Sequence, residues 1–350
     1  TNNDRRKAMN KKVISGIICF IFCVIVSFGI QLTSGALYNQ SLAKINQVEV
    51  NGNQQDIQAT KVNGTEKGES VHLTADYREN ELDSTHFSEG EQVFYSQGNV
   101  EEKKRDGFIF FMVAFLLFTL IFVGGKTGIT TFISVSLNSA ALFLIVAVYR
   151  NFTNISLVIF TAIYTVLSIA ITLFLIDGIK KNSLQKFFAT LLTVFTAFFI
   201  CFIAMEFYQD EGLRFEDMGV LTRPYRPIFL SGLLVGAIGA SLDTVVTVVS
   251  TLEEIELKNP TVTLSQLVRS GKKVGEDISS TMINVLICSY FSSAIPMMLV
   301  YLHNGWPFGQ TVSMLLSLEM VRVLCGGFGI LLSIPFSLLF FQMSRRGAKQ

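Results

Sequence analysis

Charged side chains stand inside apolar runs that are each long enough to cross a bilayer. Allowing about 20 apolar residues per span, the 350-residue chain offers runs at 13–35, 107–124, 129–149, 154–176, 186–206, 228–250, 280–302 and 312–342. Hydrocarbon penalises an isolated charge, so Asp243, Glu319 and Arg322 must be paired, face water or serve a purpose. The chain therefore reads as an all-α polytopic membrane protein of about eight transmembrane helices, with one sizeable polar segment between the first and second.

Composition narrows the class further. Half the residues are hydrophobic and only 16% are charged, against about 25% in a soluble domain. A net charge of +1 lacks the basic face that nucleic-acid binding needs. Cys19, Cys23, Cys201, Cys288 and Cys325 all lie in apolar runs, whereas His72, His86 and His303 lie in polar loops. That separation predicts neither a disulfide framework nor a Cys–His metal site, and no cofactor is expected.

The run from Val13 is too long for the apolar core of a signal peptide, so it reads as an uncleaved first span. Residues 1–37 then comprise a basic cytoplasmic N-terminus and the first helix. Arg5, Arg6, Lys7, Lys11 and Lys12 set the orientation, and the alternation places Lys180, Lys181, Lys186, Lys258, Arg269, Lys272 and Lys273 on the same side. Lys103, Lys104 and Arg105 oppose this count, but long translocated segments obey the rule poorly. Both termini are expected in the cytoplasm, including the basic tail 344–350. Residues 107–343 form a seven-helix transmembrane domain.

Residues 38–106 are then extracytoplasmic. Alternating stretches at Val71–Ala75 and Gln92–Tyr95, with Gly64, Gly68, Gly90 and Gly98 between and around them, predict a small β domain. A flexible loop is the alternative. A second polar segment, 252–279, is read as cytoplasmic. Pro260 ends one helix there and Thr263 caps another, whose apolar positions share a face. That helix either lies on the membrane surface or docks a partner, unless the segment is a plain connector.

In the sixth run Gly232, Gly236 and Ala240 recur every fourth residue, beside Gly239, and the stripe continues to Asp243 and Thr247. Small residues admit a neighbouring helix, so close packing would bring Asp243 to a site for a cation, a proton or a polar substrate. A packing groove with a satisfied carboxylate is the plainer alternative. At about 1.5 Å per residue, Asp243 lies about 22 Å from the outer end of its run and Asn284 about 8 Å from the inner end of the seventh. In a core about 30 Å thick these depths coincide, which makes them the best candidate for a contacting pair, completed by Thr244 or Thr247. Glu319 and Arg322, three residues apart, can pair within the last helix, with Gly326 and Gly329 extending their face. They either neutralise each other or line the outer mouth of a path. Pro296 and Pro335 fall inside their runs, and Gly326-Gly327 and Pro335 are candidate points for bending or breaking the over-long last one. Asn138 reads as a structural hydrogen-bonder. No phosphate-binding loop, zinc-protease or serine-hydrolase motif is present, so no catalytic residue is assigned and no enzyme is expected.

Several of these pieces occur in one order. They are Gly236-Ala237-Ile238-Gly239-Ala240-Ser241-Leu242-Asp243, Ser270-Gly271-Lys272-Lys273-Val274-Gly275-Glu276-Asp277-Ile278, Ser280-Thr281-Met282-Ile283-Asn284-Val285-Leu286 and Glu319-Met320-Val321-Arg322, then Gly326, Gly329-Ile330 and Pro335. Together the chain resembles the YibE/F family of bacterial membrane proteins over roughly 107–342. It departs mildly at Val285 and at Tyr290-Phe291-Ser292-Ser293. The resemblance implies a multi-pass protein of the bacterial cell membrane, of the longer type with an N-terminal extracytoplasmic region. It implies a paralogous membrane subunit as partner, with a homo-oligomer as the alternative, and it carries no substrate or reaction with it. The functional expectation is an ion-gradient-driven transporter or permease subunit, with its path between the sixth, seventh and eighth helices. The alternative is a non-transporting scaffold or receptor that binds an extracellular peptide or protein through 38–106. Membrane lipid surrounds it in either case, and no nucleic acid is involved.

Overall fold

A computed structural model describes all residues except 1–15, 17–19, 22, 31–37, 65, 78–84, 153, 216–223 and 348–350. The chain forms two units, Thr1–Ile129 and Thr130–Gln350. The run expected as the first span falls largely outside the described residues, although 23–30 are helical.

The first unit contains five strands, β1 (Leu42–Asn51), β2 (Gln54–Lys61), β3 (Ser70–Asp76), β4 (Gln92–Ser96) and β5 (Asn99–Lys103). They close into a barrel in the order β1-β2-β3-β5-β4. Neighbours are antiparallel except β3 and β5, which run parallel at Thr74 and Asn99. Closure removes the exposed edges that a short sheet would otherwise present. Alternate residues point inward, so Ala43, Ile45, Ile57, Ala59, Leu73, Ala75, Phe87 and Val93 form the core. Gln55 is also buried, and both ends of its amide are used: Nε2 donates to the Thr85 carbonyl and Oε1 accepts from the Phe87 amide. Gln97 and Gly98, both at positive φ, make the tight β4–β5 turn. Thus 38–106 does hold a β domain. The strands expected at Val71–Ala75 and Gln92–Tyr95 lie within β3 and β4.

Lys104 follows β5 directly and has no exposed side-chain surface. Its ammonium donates to Gln92 Oε1 at 2.9 Å and lies 3.6 Å from Asp106. Burial pushes its pKa below the usual lysine range, and Asp106 partly offsets that shift.

Helix α1 (Asp106–Gly124) and helix α2 (Lys126–Tyr149) are joined by one residue. Gly125 sits there at φ 57. The turn is so sharp that a Cβ on Gly128 would lie 1.8 Å from the Leu120 carbonyl oxygen. Only glycine fits.

The second unit adds α3 (Leu157–Ile176), α4 (Lys181–Phe207), α5 (Tyr225–Lys258), α6 (Leu264–His303), α7 (Phe308–Leu315) and α8 (Ser317–Gly347). Among the described residues seven helices, all but the short α7, are long and apolar enough to cross a membrane. Sequence had indicated about eight. The last run, 312–342, breaks at Leu316 into α7 and α8, and both Gly326-Gly327 and Pro335 lie within a continuous α8.

The segment 252–279 forms no helix of its own, which corrects the expected surface-lying amphipathic helix. Helix α5 continues to Lys258 and ends at Asn259, just before Pro260. Thr263 then starts α6 with a capping box, in which its hydroxyl accepts from the Gln266 amide. Such a cap contributes about 1 kcal/mol. From there α6 is unbroken for 40 residues. The apolar face seen in sequence is real, but Leu267 and Gly271 bury it against α5 and α8, near Leu252 and Leu338.

One apolar cluster joins α3, α4, α5 and α8, with Leu173, Val194, Phe229, Leu234 and Cys325 among its buried members. A second, around Val248, Leu252, Leu267 and Leu338, fills the other end of the bundle. Asn138 is structural, as expected: its Nδ2 donates to Thr172 Oγ1 at 2.8 Å and ties α2 to α3.

Gly128→Ala is expected to open the α1–α2 turn, because a backbone oxygen blocks the new methyl. The cost should reach at least the 1–3 kcal/mol of ordinary overpacking, roughly. Thermal unfolding in detergent checks this. An unchanged melting temperature would contradict the geometry.

Candidate functional site

The chemistry-bearing side chains of the bundle lie at three levels, set by the packing of α5, α6 and α8. Helices α5 and α8 approach closely at Ser241 and Gly329, where a Cβ on the glycine would be 2.5 Å from Ser241 Oγ. The buried Ser333 hydroxyl of α8 donates to the Gly329 carbonyl of its own helix at 2.6 Å and lies 3.2 Å from the Ser241 carbonyl across the same contact. Leu286 of α6 packs over Gly326, Ile334 of α8 over Gly275, and Tyr290 reaches over Gly236. Gly236, Gly326 and Gly329 are thus helix contacts, as the sequence suggested. Gly232 and Gly239 are not: a Cβ on either would meet nothing within 4 Å. Ala240 is half-buried. The buried face of α5 runs through Ala237, Ser241, Thr244 and Val248, one residue round the helix from the stripe read in sequence.

That rotation decides the middle level. Thr244 is fully buried and its Oγ1 donates to the Ala240 carbonyl. Asp243 and Thr247 are exposed on the surface of the bundle, and Thr247 Oγ1 donates to the Asp243 carbonyl. Asn284 is exposed too. Among the described residues the Asp243 carboxylate and the Asn284 amide have no side-chain partner, and they do not bond to each other. The pair expected from depth alone is not formed within this one chain.

The next level is at the α7 end. Glu319 and Arg322 make the intrahelical ion pair expected of them. The Arg322 guanidinium also lies 5.3 Å from the centre of the Phe229 ring, a cation–π contact with α5. Glu319 Oε2 is buried without a hydrogen-bond partner among the described residues. A cavity of about 310 Å³ opens beside the pair, walled by Ser293 and Met297 of α6 and Met314 of α7. Nearby, Arg226 holds Glu206 at 2.6 Å and Asp210 at 2.8 Å, tying α5 to the end of α4.

The third level, at the Glu253 end, was missed in sequence, where Lys186 counted only as an orienting charge. Its side chain is 4% exposed. The ammonium donates to Asp177 at 2.7 Å and to Ser250 Oγ at 2.9 Å, and lies 3.7 Å from Glu253. The end of α3 and helix α5 therefore converge on one buried cation of α4. Beside it a cavity of about 340 Å³ is lined by Asn182, Gln185, Glu253, Glu256, Ser344 and Arg345. Arg345 bonds Glu256 at 2.8 Å and the Val262 carbonyl at 2.9 Å, which fastens the end of α8 to the α5–α6 connection. The available signal was Lys186 lying five residues inside a helix otherwise rich in apolar residues.

No group of three or more metal-binding side chains occurs among the described residues. Cys201 and Cys325 are free thiols inside the first apolar cluster.

Residues 111–347 match the family model described as YibE/F-like protein. The chain belongs to the YibE/F-like family. The match takes in α2 to α8 and most of α1, and therefore all three polar levels, and leaves the barrel outside it. No curated protein and no solved structure matches the chain.

Removing the buried cation should destabilise the bundle strongly, because Asp177 and Glu253 would be left facing each other. Lys186→Met is expected to cost about 3–5 kcal/mol. Lys258→Met breaks only an exposed pair with Glu254 and should leave the melting temperature unchanged. Equal effects of the two changes would show that the Lys186 cluster holds nothing together.

Proposed function

We propose that this YibE/F-like chain is a subunit of a membrane transporter or permease, driven by an ion gradient, with its path along α5, α6 and α8. The observation that carries this reading is the arrangement of polar groups on these three helices. They hold Glu319 and Arg322 beside a cavity at one end, Asp243, Thr247 and Asn284 in the middle, and Glu253 beside a second cavity at the other. Groups this costly in hydrocarbon are retained where a polar species passes or binds. Thr244, buried and bonded to its own helix, supports the fold of the path instead of lining it. The nucleotide-binding loop of an ATP-driven pump is absent from the sequence, so an ion gradient is the energy source in this reading. The orientation that fits is the one given by Lys and Arg, with the Glu253 end in the cytoplasm of a bacterial cell and the barrel outside. Purified protein in vesicles, given an inward proton or sodium gradient, should dissipate it. Asp243→Asn, inserted to the same level, should fall to the background of empty vesicles. Wild-type rates in that variant would remove Asp243 from the path.

The barrel favours a second reading, a receptor or scaffold subunit. A closed barrel with its own core lies outside the family match, and its strands are largely polar. Deleting 42–102 should then abolish capture of an extracellular peptide or protein while the helices still insert. Unchanged capture would sink this reading.

A further inference from the structure

The basic triplet Lys103-Lys104-Arg105 runs against the orientation that the remaining Lys and Arg residues favour. It stands at an abrupt change of polarity. Strand β5 ends at Lys103, α1 begins at Asp106, and from Phe108 the helix is almost wholly apolar. In a bilayer crossed by α1, the triplet falls where the headgroups meet the hydrocarbon.

A cavity of about 740 Å³ opens there, wholly within the first unit. Two helical faces form its apolar wall. Val24 and Phe28 lie one turn apart on the helical stretch 23–30, and Phe108 and Phe111 lie one turn apart on α1. Ser27 holds the two faces together by donating its hydroxyl to the Gly107 carbonyl, and Phe20 packs edge-on against Phe111 and Phe115. Lys103, Lys104 and Arg105 form the polar wall, and no carboxylate stands among the described lining residues.

The charges around this wall do not cancel. Lys103 pairs with Glu91, and the Lys104 ammonium lies 3.6 Å from Asp106. Arg105 is exposed, and its guanidinium has no carboxylate or hydrogen-bond partner among the described residues. One positive charge is left over at the polar end of an apolar slot. Its complement is a single negative charge carried on an apolar chain. A zwitterionic headgroup would bring an ammonium against three cations, and a free phosphate would leave the aromatic wall uncovered.

We propose that this cavity binds an anionic glycerophospholipid, with its phosphodiester held by Arg105 and Lys103 and its acyl chains lying on Val24, Phe28, Phe108 and Phe111. Basic pockets beside membrane helices hold anionic headgroups in this way, and the volume falls in the range of about 300–1,000 Å³ usual for ligand sites. The inference does not rest on the transport reading.

Native mass spectrometry of the full chain reads the bound lipid by its mass. The protein is released from nanodiscs of equal parts dioleoylphosphatidylglycerol and dioleoylphosphatidylethanolamine, and the phosphatidylglycerol should be retained in preference. Arg105→Gln should lower that retention about fivefold, the scale of one cationic contact with an anionic headgroup. It should melt as the wild type does, because the Arg105 side chain holds no other group. Lys272→Gln makes the same charge change on α6, where Lys272 pairs only with Glu276, and should leave retention unchanged. Val24→Trp fills the apolar slot without altering charge and should also lower retention; if that variant does not insert, the Arg105 comparison decides. Glycerophosphoglycerol, the headgroup without its chains, should not displace the lipid. The proposal is overturned if the two lipids are retained equally, or if Arg105→Gln and Lys272→Gln act alike. It is also overturned if an inserted Val24→Trp retains phosphatidylglycerol as the wild type does, or if the chain-free headgroup displaces the lipid, which would mark a site for free phosphate.

Discussion

Helices α5, α6 and α8 approach one another closely because the residues at their crossings are small, and the rest of the bundle depends on that approach. Lipid tails are as apolar as leucine, so burying leucine gives helices in a bilayer little reason to associate. What remains is van der Waals contact at short range and a few hydrogen bonds. Ser241 against Gly329, Leu286 over Gly326 and Ile334 over Gly275 supply the first. The Ser333 hydroxyl, shared between the Gly329 carbonyl of its own helix and the Ser241 carbonyl of α5, supplies the second, at less than the about 0.6 kcal/mol of a typical interhelical bond in a membrane. With the axes this near, Arg322 on α8 reaches the ring of Phe229 on α5, and Lys186 on α4 reaches Glu253 and Ser250 of α5.

The barrel is built on a different balance. Its strands are mostly polar, and its interior is narrow enough to be filled by alanines and a few larger side chains. A core this small is marginal for an isolated domain. The deficit is met in part by buried polar groups with complete partners. Gln55 bridges the barrel to Thr85 and Phe87, and Gln92 accepts from the ammonium of Lys104.

Sequence gave access to the spans because hydrocarbon imposes a length and a polarity that no soluble fold requires. The ends of α5 and the start of α6 were legible from Pro260 and Thr263, since each acts within a single turn. The faces were harder. On α5 the series Gly236–Ala240–Asp243–Thr247 and Ala237–Ser241–Thr244–Val248 lie side by side, and both begin with small residues. A spacing of four selects a stripe but cannot choose between two adjacent ones, so Asp243 was expected inside and Thr244 alone proved to be there. Lys186 was hidden for another reason: its partners come from 9, 64 and 67 residues away. Strands β1 and β2 escaped because their inward positions hold Ala43, Ala59 and Gln55, which do not announce a buried face.

Helix α6 spans about 60 Å, twice the thickness of a hydrocarbon core, and contains no proline before Pro296. From the Thr263 cap to Asn284 it is therefore one stiff rod without a hinge. Ile334 seated on Gly275 and Leu338 on Gly271 act as detents against sliding along α8. A push on the exposed tip between Asn259 and Thr263 has no compliant joint in which to dissipate. It arrives at the level of Asn284 as a displacement of the whole polar face, which makes the far end of this helix a mechanical handle on its middle.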